Sequence, residues 1–343
     1  MADIFAIAER FRADLLKRDR AAAAALTRAY GVAWNRIEQR LDVLTTKIEQ
    51  ARSRDKHITK SWLNEQDRLE TLKRQVAEEI TAFARIAEQR ILDEQAANIE
   101  RAIEEAEQLV RATMGEGPAG ATVAWNRLPT SAVTNLVGYL QNGSPLRDLL
   151  DELGADAGQR VEDALIEGVT LGDGPRQIAR RAREALSGNL VRALRICRNE
   201  SLRPHREATY LSYQANRDVV KGWIWHAQLS TRTCAICWAM HGTRHSIDER
   251  FASHIVCRCA MIPETLSWAE LGFPGIPDTR QNIELGTSAF DRLTAAEQHA
   301  ILGPNKLKAY HAGKFTLPDL VGIKTDEKWG RSRYERSLAH LTA

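Results

Sequence analysis

From Ala2 to Met114 apolar residues return at helical spacing. Trp34, Ile37, Leu41, Leu44 and Ile48 step by three and four, and a second series runs Leu69, Leu72, Val76, Ile80, Phe83 and Ile86. Glu, Arg, Lys and Gln fill the positions between, so each series reads as the inner face of an amphipathic helix. The stretch holds no proline and a single glycine, Gly31, leaving little to interrupt a long helix. Residues 51–60 lose the stripe and predict a turn. Two or three long antiparallel helices follow. A helical arm packed on another subunit is the alternative, because a coiled-coil seam has the same spacing.

The run Gly115-Glu116-Gly117-Pro118-Ala119-Gly120 breaks this regime and reads as a linker. Shorter helices are expected beyond it. Ser144-Pro145 supplies an N-cap and a first-turn proline, and Gly154 is expected to close that helix. Gly172-Asp173-Gly174-Pro175 opens a helix over 176–186, ended by Ser187-Gly188; a further one holds Leu194, Ile196, Cys197 and Glu200, and Pro204 kinks it or starts the next. Trp223-Ile224-Trp225-His226-Ala227 alternates in the manner of a strand. Past Pro263 helices are expected over 288–302 and 305–312, with Gly303-Pro304 and Gly313 as stops, then one helical turn over 317–321. The charged tail keeps Trp329, Tyr334 and Leu338 and is expected to dock. The fold class is mainly α. It divides into a long N-terminal helical bundle or arm (1–114), a linker and small central helical domain (115–190), a small α+β region (191–265), and C-terminal short helices and tail (266–343).

Composition narrows the function. Of 343 residues, 48 are Lys or Arg and 45 Asp or Glu, a net charge of +3. That balance does not indicate a chain-wide electrostatic grip on DNA, though it leaves room for contact with nucleic acid through a local patch. No run approaches the ~20 apolar residues of a membrane span, and the charged start lacks the pattern of a secretory signal. Synthesis in a cytoplasm is the expectation.

Four of the five cysteines crowd together as Cys234-x2-Cys237 and, after sixteen residues, His254-x2-Cys257-x-Cys259. In a reducing compartment this pattern favours a metal over disulfides. Thiolate and imidazole suit tetrahedral zinc, and two such pairs from two turns complete the shell. Cys234, Cys237 and His254 are the favoured ligands, with the fourth open between Cys257 and Cys259; reduced thiols without metal are the competing reading. Four protein ligands leave no place for a reactive water, so the zinc would be structural. His241 and His245 lie in the intervening loop and are weaker candidates. A metal-dependent nuclease built on them with Asp248 and Glu249 is one alternative function, and a zinc-ribbon nucleic-acid-binding factor another. There is no phosphate-binding Gly-x4-Gly-Lys-Ser/Thr loop and no serine nucleophile elbow, and no small-molecule substrate is implied. The Trp223 and Trp225 rings are expected in the core rather than stacking on bases.

Residues 195–263 resemble the head-morphogenesis domain of the phage Mu F-like minor head proteins. The resemblance rests on Arg198-Asn199-Glu200, the tryptophan strand, Arg232-Thr233-Cys234-x2-Cys237, Gly242 and the closing His254-x2-Cys257-Arg258-Cys259. It extends upstream through Glu167-Gly168 and Gly172-x-Gly174-Pro175, and downstream through Ile301-Leu302-Gly303-Pro304 and Gly313-Lys314. Ser230 departs from it, where the family often has Asp. The resemblance implies a non-enzymatic minor capsid protein inside the virion head near the portal. It also implies a portal-protein partner, with major capsid or scaffolding protein as further candidates, a role in head assembly and a candidate role in DNA packaging or delivery.

Overall fold

A computed structural model describes residues 3–65, 68–120, 123–129, 132, 146–278, 280–326 and 330–342. The fold is mainly α with small antiparallel sheets. Its helices and strands belong to two compact units: one comprises Lys17–Glu94 with Gly143–Ser201, the other Met1–Leu16, Gln95–Asn142 and Leu202–Ala343.

The first unit is built from helices α1 (Ile4–Arg52), α2 (Lys60–Asn64), α3 (Arg68–Met114), α4 (Leu146–Thr170) and α5 (Pro175–Gln214), of which α1, α3 and α5 also contribute to the second unit. The two apolar series become its core: Ile37, Leu41, Ile48, Leu69, Val76, Ile80 and Phe83 are all buried, joined by Leu153, Val161 and Leu165 of α4 and Leu186 of α5. α1 and α3 run antiparallel, with Tyr30 edge-on to Phe83 and Arg40 pairing with Glu79. The expected turn over 51–60 contains Asp55 in the left-handed region (φ 53°), and Thr59 then caps α2 by accepting the Trp62 N–H. Ile86 does not belong to the stripe. It is 55% exposed, because after Ile80 the 3.6-residue period passes through Ala84, Ala87 and Ile91, which are buried.

Two expected helix stops are absent. Gly154 lies inside α4, where its missing side chain serves packing: a Cβ there would stand 2.5 Å from Thr81 Oγ1 on α3. Ser187-Gly188 lies inside α5, which continues past Pro204 to Gln214 as one helix. Long-range contacts override local propensity at both places. Asn189 donates to the Leu153 carbonyl and Arg198 binds Asp19 through both carboxylate oxygens. The Ser144-Pro145 cap lies outside the described residues.

The second unit centres on a three-stranded antiparallel sheet in the order β2-β1-β3, with β1 Val220–His226, β2 Arg244–Ser246 and β3 Ala260–Thr265. Trp223 pairs with His245 on one side and Pro263 on the other. Pro263 is tolerated because β3 is an edge strand. A six-residue helix, α6 (Ala235–Met240), follows the first cysteine. The helix expected over 288–302 is two, α7 (Gly286–Asp291) and α8 (Ala295–His311): Thr294 and Glu297 form a capping box that restarts the chain as a helix. Gly303, at φ 73°, breaks α8 where a stop was expected. The 317–321 turn is a 3-10 helix, Leu317–Leu320. The tail docks as a hairpin of β4 (Val321–Asp326) and β5 (Gly330–Glu335), then α9 (Leu338–Leu341); Trp329 lies outside the described residues. Among the described residues no helix is long and apolar enough to cross a membrane.

Candidate metal centre

The five predicted donors meet in the second unit. Cys234 stands at the N-cap of α6 and Cys237 in its first turn, so both thiols face the loop that closes the knuckle. His254 Nε2 lies between them, 3.2 Å from Cys234 Sγ and 3.1 Å from Cys237 Sγ. Cys257 Sγ is 3.8 Å and Cys259 Sγ 3.2 Å from Cys237 Sγ. Cys237 therefore belongs to two donor groups, one with Cys234 and His254 and the other with Cys257 and Cys259. Zinc–ligand bonds of ~2.3 Å to sulfur and ~2.0 Å to nitrogen put tetrahedral ligand atoms about 3.5–3.8 Å apart. The observed separations suit an ion of that size after a small expansion, and the residues can hold a metal ion.

His254 is oriented for the purpose. Its Nδ1 faces the Ile255 carbonyl at 2.7 Å, where Nδ1–H donates and Nε2 is left to point at the two sulfurs. A carbonyl that accepts from the far ring nitrogen in this way sets the tautomer of metal-bound histidines. Burial opposes charge on this ring, but the sulfurs of Cys234 and Cys257 outweigh it and push its pKa up to about 11. As imidazolium it neutralises thiolates; as imidazole it offers a lone pair to an ion at the same place. The sulfurs divide correspondingly. Hydrogen bonding from Cys237, against burial, brings Cys234 down to about 5, whereas its neighbours Cys234, Cys257 and Cys259 hold Cys237 protonated. Crowded thiols that cannot all ionise unaided ionise together beside a divalent cation.

Aromatic and guanidinium groups support the loop. Trp223 and Trp225 are fully buried on one face of β1, as core rather than as a base platform. Trp223 stacks on His245 at 4.0 Å and Trp225 on Phe251 at 4.1 Å. Arg206 of α5 donates to Ser253 Oγ and to the Cys257 carbonyl, at 2.8 and 2.6 Å, with its guanidinium over Phe251. Arg333 of β5 donates its backbone N–H to the Ser253 carbonyl and lays its guanidinium over Trp225. Neither arginine carries a local signal in the sequence, since each reaches the loop only through the tertiary fold. Val256, between His254 and Cys257, adopts φ 58°, a conformation unfavourable for a β-branched residue.

His241 and His245 are engaged elsewhere. His241 is buried and its Nδ1 accepts the Ala227 N–H at 3.0 Å; His245 contacts Glu249 through Nδ1 and Thr243 through Nε2, both at 2.9 Å. Asp248 pairs with Arg217 at 2.8 Å. Among the described residues these side chains form no donor cluster like the cysteine site.

Residues 159–262 match the family model described as Phage Mu protein F like protein. The matched stretch runs from within α4 through β1 and α6 into β3 and includes all five donors. Among curated proteins and among solved structures, nothing matches the chain.

Proposed function

We propose that this chain is a minor structural protein of a tailed-phage head whose cysteine–histidine knuckle is stapled by zinc. The observation that carries the reading is coincidence in sequence: the stretch matching the Mu protein F-like model is the one in which Cys234, Cys237, His254, Cys257 and Cys259 gather as two donor groups that share Cys237. Sulfur and imidazole donors in this arrangement suit zinc. Four ligands close its shell, so the ion stabilises a loop that has little regular structure of its own. The protein works by holding partners. It sits inside the head near the portal, contacts the portal protein and, during assembly, the major capsid or scaffolding protein, and lies close enough to packaged DNA to take part in packaging or delivery. It performs no catalytic step.

Quantitative mass spectrometry of purified, DNase-treated particles and of procapsids tests this. The expected result is a copy number comparable with that of the portal protein and far below that of the major capsid protein. Absence from both particles and procapsids would overturn the proposal.

A further inference from the structure

The knuckle has one donor more than it needs. A tetrahedral ion takes four ligands, and the fold brings together Cys234, Cys237, His254, Cys257 and Cys259. The geometry distinguishes the last of them. His254 Nε2 bridges Cys234 and Cys237, and Cys257 Sγ lies 3.8 Å from Cys237 Sγ, the separation of two sulfurs on one ion. Cys257 Sγ also accepts the Cys259 backbone N–H at 3.4 Å, and the Arg206 guanidinium donates to the same residue's carbonyl, so two contacts fix where this sulfur stands. Cys259 Sγ lies closer to Cys237 Sγ than Cys257 Sγ does, too close for two sulfurs on one ion and well placed for a direct S–S bond. Its S–H donates to Cys237 Sγ at 3.2 Å, and it borders a cavity whose walls include Phe11, Leu109 and Met261, all in the same unit.

We propose that Cys234, Cys237, His254 and Cys257 hold the ion and that Cys259 is a resolving thiol, which on exposure to a peroxide joins Cys237 in a disulfide and releases the metal. The inference rests on the zinc reading above. In the reaction the Cys237 thiolate and the Cys259 thiol together give up two electrons to one hydrogen peroxide molecule. The O–O bond breaks, the S–S bond forms, and the Cys259 proton with one from solvent completes two molecules of water. The metal, left with three protein donors, dissociates. The covalent link then ties α6 to the start of β3, the same segments the ion tied. One staple replaces the other as the environment passes from reducing to oxidising.

The test uses the full chain loaded with one equivalent of zinc and treated with hydrogen peroxide. Released zinc is followed with a chromophoric chelator, and disulfides are mapped by peptide mass spectrometry. One zinc should leave per disulfide formed, the link should join Cys237 to Cys259, and dithiothreitol with fresh zinc should reverse both changes. Cys259→Ser should bind zinc as the wild type does and release it about tenfold more slowly under peroxide, whereas Cys257→Ser should fail to retain zinc while its circular dichroism stays helical. A link mapping to another pair, release from Cys259→Ser at the wild-type rate, or loss of zinc from Cys259→Ser with retention in Cys257→Ser would overturn the assignment alone. Wild-type protein that binds no zinc would overturn the metal reading as well.

Discussion

The helical unit and the knuckle are held together in opposite ways. In the helical unit stability is spread along four long helices, where buried side chains such as Ile37, Leu41, Val76, Ile80, Phe83 and Leu165 each contribute roughly 1.5–3 kcal/mol of burial. Losing one leaves the others in place. The knuckle, from about Leu229 to Cys259, has a six-residue helix and a three-residue strand as its regular structure. Its loop is fixed by particular atoms: five sulfur and nitrogen donors, two arginines and two stacked aromatic pairs. Distributed burial tolerates substitution, whereas a few point contacts do not. The comparison also says where a switch can be placed, since one atom can change the state only of the second kind of structure.

The sharpest way to break the contrast is Cys237→Ser. Cys237 belongs to both donor groups, so its loss should abolish metal binding and forfeit the stabilisation the ion supplies, about 10 kcal/mol at the low end for a structural zinc. Hydrogen exchange should show rapid exchange over 229–259 with protection of 30–90 unchanged, and metal analysis should show no bound zinc. Unchanged metal content and protection would mean that burial holds the loop too. Leu41→Ala is the converse. Leu41 is 0% exposed, and its truncation should cost about 3 kcal/mol in chemical denaturation, with zinc stoichiometry unaltered. If zinc is lost with it, stability in the two regions is not separate.

The same contrast explains what the sequence reveals. The helical series of the first 114 residues is legible because each buried position repeats with the period of the helix, and only Ile86 misleads, being an apolar residue off the stripe where Ala84 and Ala87 carry the seam. The donor set is legible for a different reason. Cysteine and histidine at short spacings have few other uses in a reducing compartment, and the five named residues do converge. What stays hidden depends on distant partners. Gly154 and Ser187-Gly188 have the local character of helix ends, and only the close approach of Thr81 and the bonds from Asn189 and Arg198 show why the helices run on. Arg206 and Arg333 come to the loop from far along the chain. Two arginines in a sequence containing many give no sign of that.

A smaller effect should appear with pH, and in the second unit. Burial, helped by the nearby His226 ring, presses the His241 imidazole down to about 4, so it is neutral in the fold and accepts the Ala227 N–H. In the unfolded chain it titrates near ~6.5. As pH falls below that value the unfolded state takes up the proton first, so stability that is full above pH 6.5 is lost toward pH 4. Between pH 7 and 5 the loss should be about 2 kcal/mol. His241→Asn, which keeps an acceptor for Ala227 without a titrating ring, should flatten the profile in that window when unfolding is measured in urea at several pH values. An equally steep profile in the variant would assign the dependence to another group. Glu9 is separable, because the hydrogen bond from His226, against burial and with help from Arg12, holds its carboxyl down to about 2, and its contribution is lost only as pH falls below about 4.5.

The smallest expected effect has the opposite sign and falls on Val256. A β-branched residue at φ 58° carries strain of about 1–3 kcal/mol. It sits in the turn closed by the Cys257 N–H to the His254 carbonyl, between two of the five donors. If point contacts dominate the knuckle, the geometry of that turn is imposed by what His254 and Cys257 must reach, and the valine is held against its own preference. Val256→Gly should then relieve the strain, offset by about 0.5–1 kcal/mol of extra chain entropy, and raise the stability of the loop by about 1 kcal/mol with metal stoichiometry unchanged. Local exchange rates over 254–259, measured with zinc bound, would register it. A loss of stability instead would mean that the valine side chain contributes more through packing than its backbone costs. The knuckle would then share the distributed logic of the helices after all.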